Sequence, residues 1–436
     1  MSDLAAPGFP EEEVRRRARL GSAAAFPAPG DYGQLLFGSR PPDRLPPGDV
    51  LDTARLVPPV LMPGRLARLI ALGREPTYQD VELATDIGGL ASALPLYVSA
   101  LGSTRAVGED GLGAALSRQA ARLGIPLVIG ENVALVHGYG RTGGAPAAAS
   151  LLARLTAYAE EAAPGRGGVV VQQSTEDADA EVWNLAYSDP SALPLLESGR
   201  LAFELKLGQG AKPGLGGMTV LPAEAAGGLT DRYTVDPLFG DGRVLRSSSP
   251  GTVTEEILRQ QVRLMRNNYP RARVWVKLPP GRDIALAART ASAAGADAVT
   301  VDGAEGGTGW APHAFLGEVG LPLAECLRRL AAPPGAGPPP GLLVSGGIWE
   351  GARAAKCLAL GATGVGLGRA ALLATAERPQ DGLVRLVECL ALELRLLVSA
   401  LGKYRAGEVD RDDLWSPDGA FSEASRGTPP SPADAG

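Results

Sequence analysis

Two glycine turns near the C-terminal end carry the clearest chemical signal in this sequence. SGGI (345–348) and GLGRA (366–370) each close a short apolar run and open a helical pattern. Glycines let backbone amides approach an oxyanion closely, and a helix start adds positive potential. A tight turn needs glycine for steric reasons alone. Two such turns at consecutive strand ends favour a phosphate. DGAEGGTGWAP (302–312) is a third glycine loop, suited to laying backbone against a flat ligand or a phosphate. Lys277 ends the run RVWVKL. A buried lysine is costly without a partner, and its candidates are a ligand anion, an electron-rich ring or the nearby carboxylate Asp302. KLGQGAKPGLGGM (206–218) sets two of the chain's five lysines, Lys206 and Lys212, in a loop rich in glycine and proline. Glu131 closes another apolar run, in GEN. His137 has only His313 for company, which leaves it a packed or exposed residue. Trp310 has two readings, a cover over a ligand or a plug in the mouth of the fold.

These residues need elements to hold them. From about residue 94, apolar β-branched runs alternate with Ala/Arg/Leu helical stretches, as in parallel βα units. The runs are PLYVSA (95–100), PLVIGE (126–131), GVVVQQ (168–173), LAFELKL (201–207), RVWVKL (273–278), AVTVDG (298–303), LLVSGG (342–347) and GVGLGR (364–369). Eight such units predict an α/β fold, a (β/α)8 TIM barrel, with an open doubly wound sheet as the rival. In a barrel the strand-end loops, including the long connections 208–253 and 304–341, rise at the C-terminal face where chemistry is built. PPGAGPPPG (333–341) reads as a stiff, exposed proline linker.

Residues 1–90 are proline-rich without alternation and read as an irregular wrapping segment. Residues 91–405 form the barrel with its C-terminal helix (DGLVRLVECLALELRLLVSALG, 381–402). Residues 406–436 form a tail expected to be partly disordered. A net charge of −6 argues against a nucleic-acid footprint. No apolar run is long enough for a membrane span, and no secretory signal opens the chain. A cytoplasmic location is the expectation. Cys326, Cys357 and Cys389 are too scattered for a zinc or iron–sulfur framework, so no metal is expected.

Taken in order, QGAKPGLGG, VKL, DGAEGGTG, SGGI and GLGRAAL resemble the FMN-binding central domain of glutamate synthase, and more closely its stand-alone relatives. The likeness runs from about Leu56 to Leu401. ARLVPPVLMPGRLARL resembles the family's lead-in, and SALGSTR its first-strand loop. The resemblance implies a barrel holding FMN over the first-strand end at Ser99, Ala100 and Leu101. Lys277 and the loop Gly306, Gly307, Thr308 and Gly309 would lie near the ring or ribityl chain. Gly346, Gly347, Gly366, Gly368 and Arg369 would hold the phosphate. It also implies a keto-acid site made of Glu131, Gln209, Lys212 and Arg246. On this reading Lys212 is a compact ammonium on a stiff loop that neutralises an anionic substrate, with glycines letting the loop pass close.

Several family features differ. GEGG becomes GENV, and PGEGGQLPG becomes PGLGGMTVLP, which puts Leu215 and Met218 where polar residues stand. The family's histidine-rich segment, clustered cysteines and N-terminal glutaminase region have no counterpart here. The expectation is an FMN-dependent oxidoreductase that transfers hydride between flavin N5 and a small, anionic or specialised-metabolite substrate. A diffusible electron donor or acceptor completes the cycle, and a homo-oligomer is an open option. The alternatives are a synthase subunit that reduces a 2-imino acid, and a non-redox phosphate-binding barrel.

Overall fold

The computed structural model describes residues 4–25, 49–102, 107, 111–131, 151–174, 182–227, 229–231, 233–239, 242–308, 311–331, 341–417, 419 and 421. Eight parallel strands close into a barrel, each hydrogen-bonded to the next and the last to the first. They are β1 (Leu96–Leu101), β2 (Pro126–Ile129), β3 (Gly168–Gln173), β4 (Leu201–Lys206), β5 (Arg273–Leu278), β6 (Ala298–Asp302), β7 (Leu342–Ser345) and β8 (Gly364–Leu367). All eight coincide with the apolar runs of the sequence. The closing contact of β8 on β1 excludes the open-sheet rival.

At least one helix follows each strand: α1 (Leu112–Leu123), α2 (Leu151–Glu160), α3 (Val182–Ser188), α4 (Glu255–Asn268), α5 (Ile284–Ala293), α6 (Leu323–Leu330), α7 (Gly351–Ala359) and α8 (Arg369–Glu377). The strands are apolar on both faces because helices cover one and the barrel interior the other. Helix starts follow local chemistry. Thr254 caps α4 by accepting from the Ile257 amide, and Glu255 and Glu256 sit in its first turn, where the helix dipole favours them.

Three additions shape the site. The hairpin Thr85–Ile87/Leu90–Ser92 seals the N-terminal end of the barrel. Ile87 and Leu90 pack there with Tyr97, Val128, Val170, Ala202, Trp275, Ala298 and Leu343. Trp275 Nε1–H donates to Gly88 O at 2.9 Å. Gly88 has φ 57°, and a Cβ on it would lie 2.6 Å from the indole nitrogen, so the turn admits only glycine. The wrapping segment therefore supplies the barrel floor, across the expected boundary at residue 90. The β4–α4 connection carries a three-stranded antiparallel sheet, Met218–Pro222, Thr234–Phe239 and Arg243–Ser247. The N-terminal helix Glu11–Leu20 packs on α8 and on the C-terminal helix Gly382–Ala400, where Arg17 pairs with Glu393 at 2.8 Å.

Past residue 405 the chain stays folded. Leu414–Trp415 pairs with Arg55–Leu56, and Asp413 is buried. The proline linker 333–341, apart from Gly341, and residues 422–436 lie outside the described residues. Among the described residues, no helix is long and apolar enough to cross a membrane.

Candidate active site

The barrel interior changes character along its axis. Inward positions recur every second residue. Near the floor they are apolar. Toward the C-terminal end they become Ser99, Gln172, Glu204, Lys206, Lys277, Thr300, Asp302 and Ser345, and all of these but Lys206 are classed as buried. Buried polar groups must be hydrogen-bonded to be tolerated, and here they form three linked sets.

The first set spans the mouth. Lys206 and Lys277 are direct neighbours in the β4–β5 register. Like charges so placed repel, and carboxylates relieve them. The Lys206 ammonium donates to Glu131 Oε1, and to Gln209 Oε1 at 2.7 Å. Gln209 Nε2 donates onward to Thr308 Oγ1 at 3.1 Å. One chain of contacts thus joins the loops after β2, β4 and β6. Burial would raise the Glu131 carboxyl. The charge and hydrogen bond of Lys206, aided by Lys277 and Lys212, outweigh that and hold it below the usual carboxylate range.

The second set surrounds Asp302. Lys277 Nζ lies 3.4 Å from Asp302 Oδ2, Ser345 Oγ donates to Oδ1 at 2.9 Å, and the Gly210 amide donates to Oδ2 at 3.2 Å. Burial would lower the Lys277 ammonium, but Asp302, Glu204 and Glu131 raise it above its ordinary value, so it stays charged. The QGAK loop touches the β6 loop directly at Gly210. A Cβ there would sit 1.9 Å from Gly303 O, so only glycine permits the approach.

The third set lies one inward position below. Glu204, 1 % exposed, accepts from Thr300 Oγ1 at 2.7 Å and from Gln172 Nε2. Burial raises its carboxyl, against the charge of Lys277, the two donors and Lys206.

The glycine turns sit at the ends of β7 and β8. Gly346 has φ 116° and Gly347 φ 69°, both in the glycine region. Gly368 precedes α8, and among the described residues no side chain caps that helix and a Cβ on Gly368 would meet nothing within 4 Å. Space therefore opens in front of a helix start. Arg369 stands beside it and donates to Glu305 O at 2.6 Å, with its guanidinium 4.5 Å from the Phe9 ring centroid. Its pKa is lowered by burial, with Asp302 and Glu305 pulling the other way. Among the described residues no carboxylate pairs with it. Glu305 holds the loop from the other side and accepts from the Leu323 amide at 3.1 Å. Burial, then the charge of Asp49, pushes its carboxyl up to about 8, against Arg353.

The structure brings Glu131, Gln209 and Thr308 together, sets Lys277 against Asp302, and places Ser99 beside the Tyr97 hydroxyl. Lys212 lies close enough to Glu131 to lower its pKa. Arg246 is in the added sheet, opposite Thr219, with its guanidinium 4.3 Å from the Tyr233 ring centroid. Gly309, Trp310 and His137 lie outside the described residues. Sequence reasoning did not assign Lys206, Glu204, Gln172, Thr300 or Ser345. The period-two count back from Lys206 through Glu204 would have found the first two. Among the described residues no cluster of three His, Cys, Asp or Glu side chains could hold a metal.

Residues 144–378 match the family model described as the conserved region in glutamate synthase. An archaeal-type glutamate synthase [NADPH] of Dehalococcoides mccartyi is 33% identical over 183 residues, 41% of this chain and 36% of the relative. A glutamate synthase large subunit-like protein of Rhizobium meliloti is 35% identical over 182 residues, 40% of each chain. The matches thus span well under half the length of these relatives. A soluble mutant of the membrane-associated (S)-mandelate dehydrogenase from Pseudomonas putida superposes with a TM-score of 0.54 at 18% identity, covering 94% of this chain and 99% of that one. The flavin-binding domain of baker's yeast flavocytochrome b2 gives 0.52 at 17%, covering 87% and 80%. At such identity these two likenesses speak to the barrel fold alone. The family match covers more than half of the chain and includes the QGAK loop and both glycine turns, and by it this chain belongs to the glutamate synthase family through that conserved region.

Proposed function

We propose that this chain is an FMN-dependent oxidoreductase that moves a hydride between the flavin and a carbon of a small anionic substrate. The observation that carries the reading is a convergence at one barrel mouth. Glycine turns and an uncapped helix start lie at β7 and β8, and the Glu131–Lys206–Gln209 chain lies at β2 and β4. The residues fit FMN. Open space before Gly368, with Arg369 beside it, suits a dianionic phosphate. Gly346, Gly347, Gly366, Gly368 and Arg369 would hold the phosphate. Ser99, Ala100, Leu101, Lys277 and the loop from Gly306 through Gly309 would border the rest. Family membership supports this cofactor.

Bound FMN supplies two-electron chemistry that side chains lack. The chain's own residues bind, orient and hold charge. Lys277, kept protonated by Asp302, presents a fixed cation. Glu131 and Gln209 fix the Lys206 ammonium so that it does not wander. Lys212 adds positive charge on the glycine-spaced loop, where a substrate anion would be held in one orientation. Leu215 and Met218 give that loop more apolar surface than the family pattern has. A diffusible redox partner closes the electron balance. Reduction of a 2-imino acid by a synthase subunit is the second reading. The specific observation in its favour is that Glu131, Gln209 and the charge of Lys212 remain clustered.

Purified protein is expected to be yellow and to release FMN on denaturation. Among the described residues Gly368→Asp meets no protein atom at its Cβ, but φ −99° with ψ −95° suits glycine better than aspartate, so the melting temperature is read beside the flavin content. Its carboxylate would face the phosphate, and FMN affinity should fall more than tenfold, about 1.4 kcal/mol. A folded Gly368→Asp protein that retains its full flavin complement refutes the phosphate assignment. Colourless wild-type protein that cannot be reconstituted with FMN refutes the flavin reading.

A further inference from the structure

Glu204 is the one buried carboxylate of the barrel mouth that the proposed chemistry leaves without a task. It is 1 % exposed and comes from the middle of β4, two residues before Lys206. Both its oxygens accept hydrogen bonds, Oε1 from Thr300 on β6 at 2.7 Å and Oε2 from Gln172 on β3. That pattern suits the ionised form, whereas a protonated carboxyl would need the Thr300 hydroxyl oxygen or a turned Gln172 amide oxygen as its acceptor. An ionised group at such depth is costly unless positive charge faces it. The facing groups are Lys277 from β5 and Lys206 from β4, with Tyr97 from β1 and Asp302 from β6 also near. Asp302 and Glu131 already pair the two lysines directly. Glu204 is therefore not needed to neutralise either one at contact distance. Apolar neighbours would fill its place at lower cost, as they do one layer down at Ala202, Val170 and Ala298.

We propose that Glu204 is a positioning residue that sets the electrostatic potential under the flavin. In this role its carboxylate, one inward position below Lys206 and Lys277, tunes the two-electron midpoint potential of bound FMN. This rests on the FMN reading above. Two-electron reduction with uptake of one proton, to the anionic reduced flavin, adds one negative charge to the ring system. A fixed carboxylate at the same mouth would oppose that charge, and the lysines would favour it. Removing the carboxylate then makes reduction easier.

The test is the midpoint potential of the holoprotein, measured by dye equilibration from mildly acid to mildly alkaline pH. Glu204→Gln conserves shape. Its carbonyl can accept from Thr300, and the Gln172 amide can turn its oxygen to the new NH2, so the fold is expected to survive. The expected result is a rise in potential equal to at least a tenfold shift in the reduction equilibrium, about 30 mV for two electrons. The difference should shrink at acid pH, where Glu204 takes up its proton. Glu204→Asp keeps the charge and should return most of the potential. If Glu204→Gln fails to fold, Thr300→Val serves in its place. It removes one donor to the carboxylate, so protonation of Glu204, and with it the rise in potential on the acid side, should move to higher pH. A potential equal to wild type at all pH values, in a folded variant that holds FMN, overturns the proposal and leaves the flavin reading intact. Wild-type protein that binds no FMN overturns both.

Discussion

Lys206→Met separates a working ion pair from a surface lysine. The Lys206 and Glu131 side chains are 9% and 15% exposed, and Lys206 also bonds Gln209. Removing one member of a buried pair leaves an uncompensated charge, at a typical cost of about 3–5 kcal/mol. Lys277 and Lys212 still face Glu131, so the lower end, about 3 kcal/mol, is expected. The pH dependence is more diagnostic than the size. In the native protein Glu131 sits below the usual carboxylate range. Its contribution to stability is therefore present above its unfolded pKa and is lost as pH falls through the folded value. Without Lys206 the burial effect dominates, the carboxyl rises, and its contribution is lost as pH increases instead. Denaturant unfolding of wild type, Lys206→Met, Glu131→Gln and the double variant, at several pH values, measures both. The double variant should be more stable than the Lys206→Met single, because the stranded charge is gone. A single-variant cost below about 1 kcal/mol, or a strictly additive double, would show that the pair is not buried as argued.

Lys212→Met should lower turnover efficiency at least tenfold, the loss expected when a charge leaves a partly desolvated substrate contact. Its FMN content and melting temperature should stay near wild type, and loss of flavin would reassign the loop to the cofactor. Glu305 keeps its proton to about pH 8 through burial and the charge of Asp49. Stability should therefore fall as pH rises from the carboxylate range through that value, and Glu305→Gln should flatten the slope; an unchanged slope refutes the assignment. Gly366→Val should destabilise by about 1–3 kcal/mol, because a Cβ there would lie 2.7 Å from the fully buried Tyr97 ring; a Val variant of native stability would show that the ring can yield. Elemental analysis should find no stoichiometric iron, and three or four irons per chain would overturn the cysteine reading.

The strands were legible because burial on both faces leaves an unmistakable mark. RVWVKL and GVVVQQ are continuous apolar runs, and glycine turns punctuate their ends. The two glycine turns were legible for a related reason: close backbone approach requires glycine, and glycine is visible in any sequence. The N-terminal hairpin was not legible, because residues 85–92 mean little until Trp275, nearly two hundred positions away, reaches Gly88. Lys212 is marked by its QGAK motif, whereas Lys206, in the same stretch, has no motif to assign it a role. Only barrel closure decided that Lys206 faces Lys277 across one register and that Glu131, Glu204 and Asp302 converge there from the end of β2, from β4 itself and from β6. The sequence by itself determined which segments are strands and where the backbone can approach an anion, since both depend on local periodicity and on the missing Cβ of glycine. The tertiary structure alone decided which charges meet, because a charge gains its partner and its shifted pKa only when distant strand ends are brought within a few ångströms and water is excluded from between them.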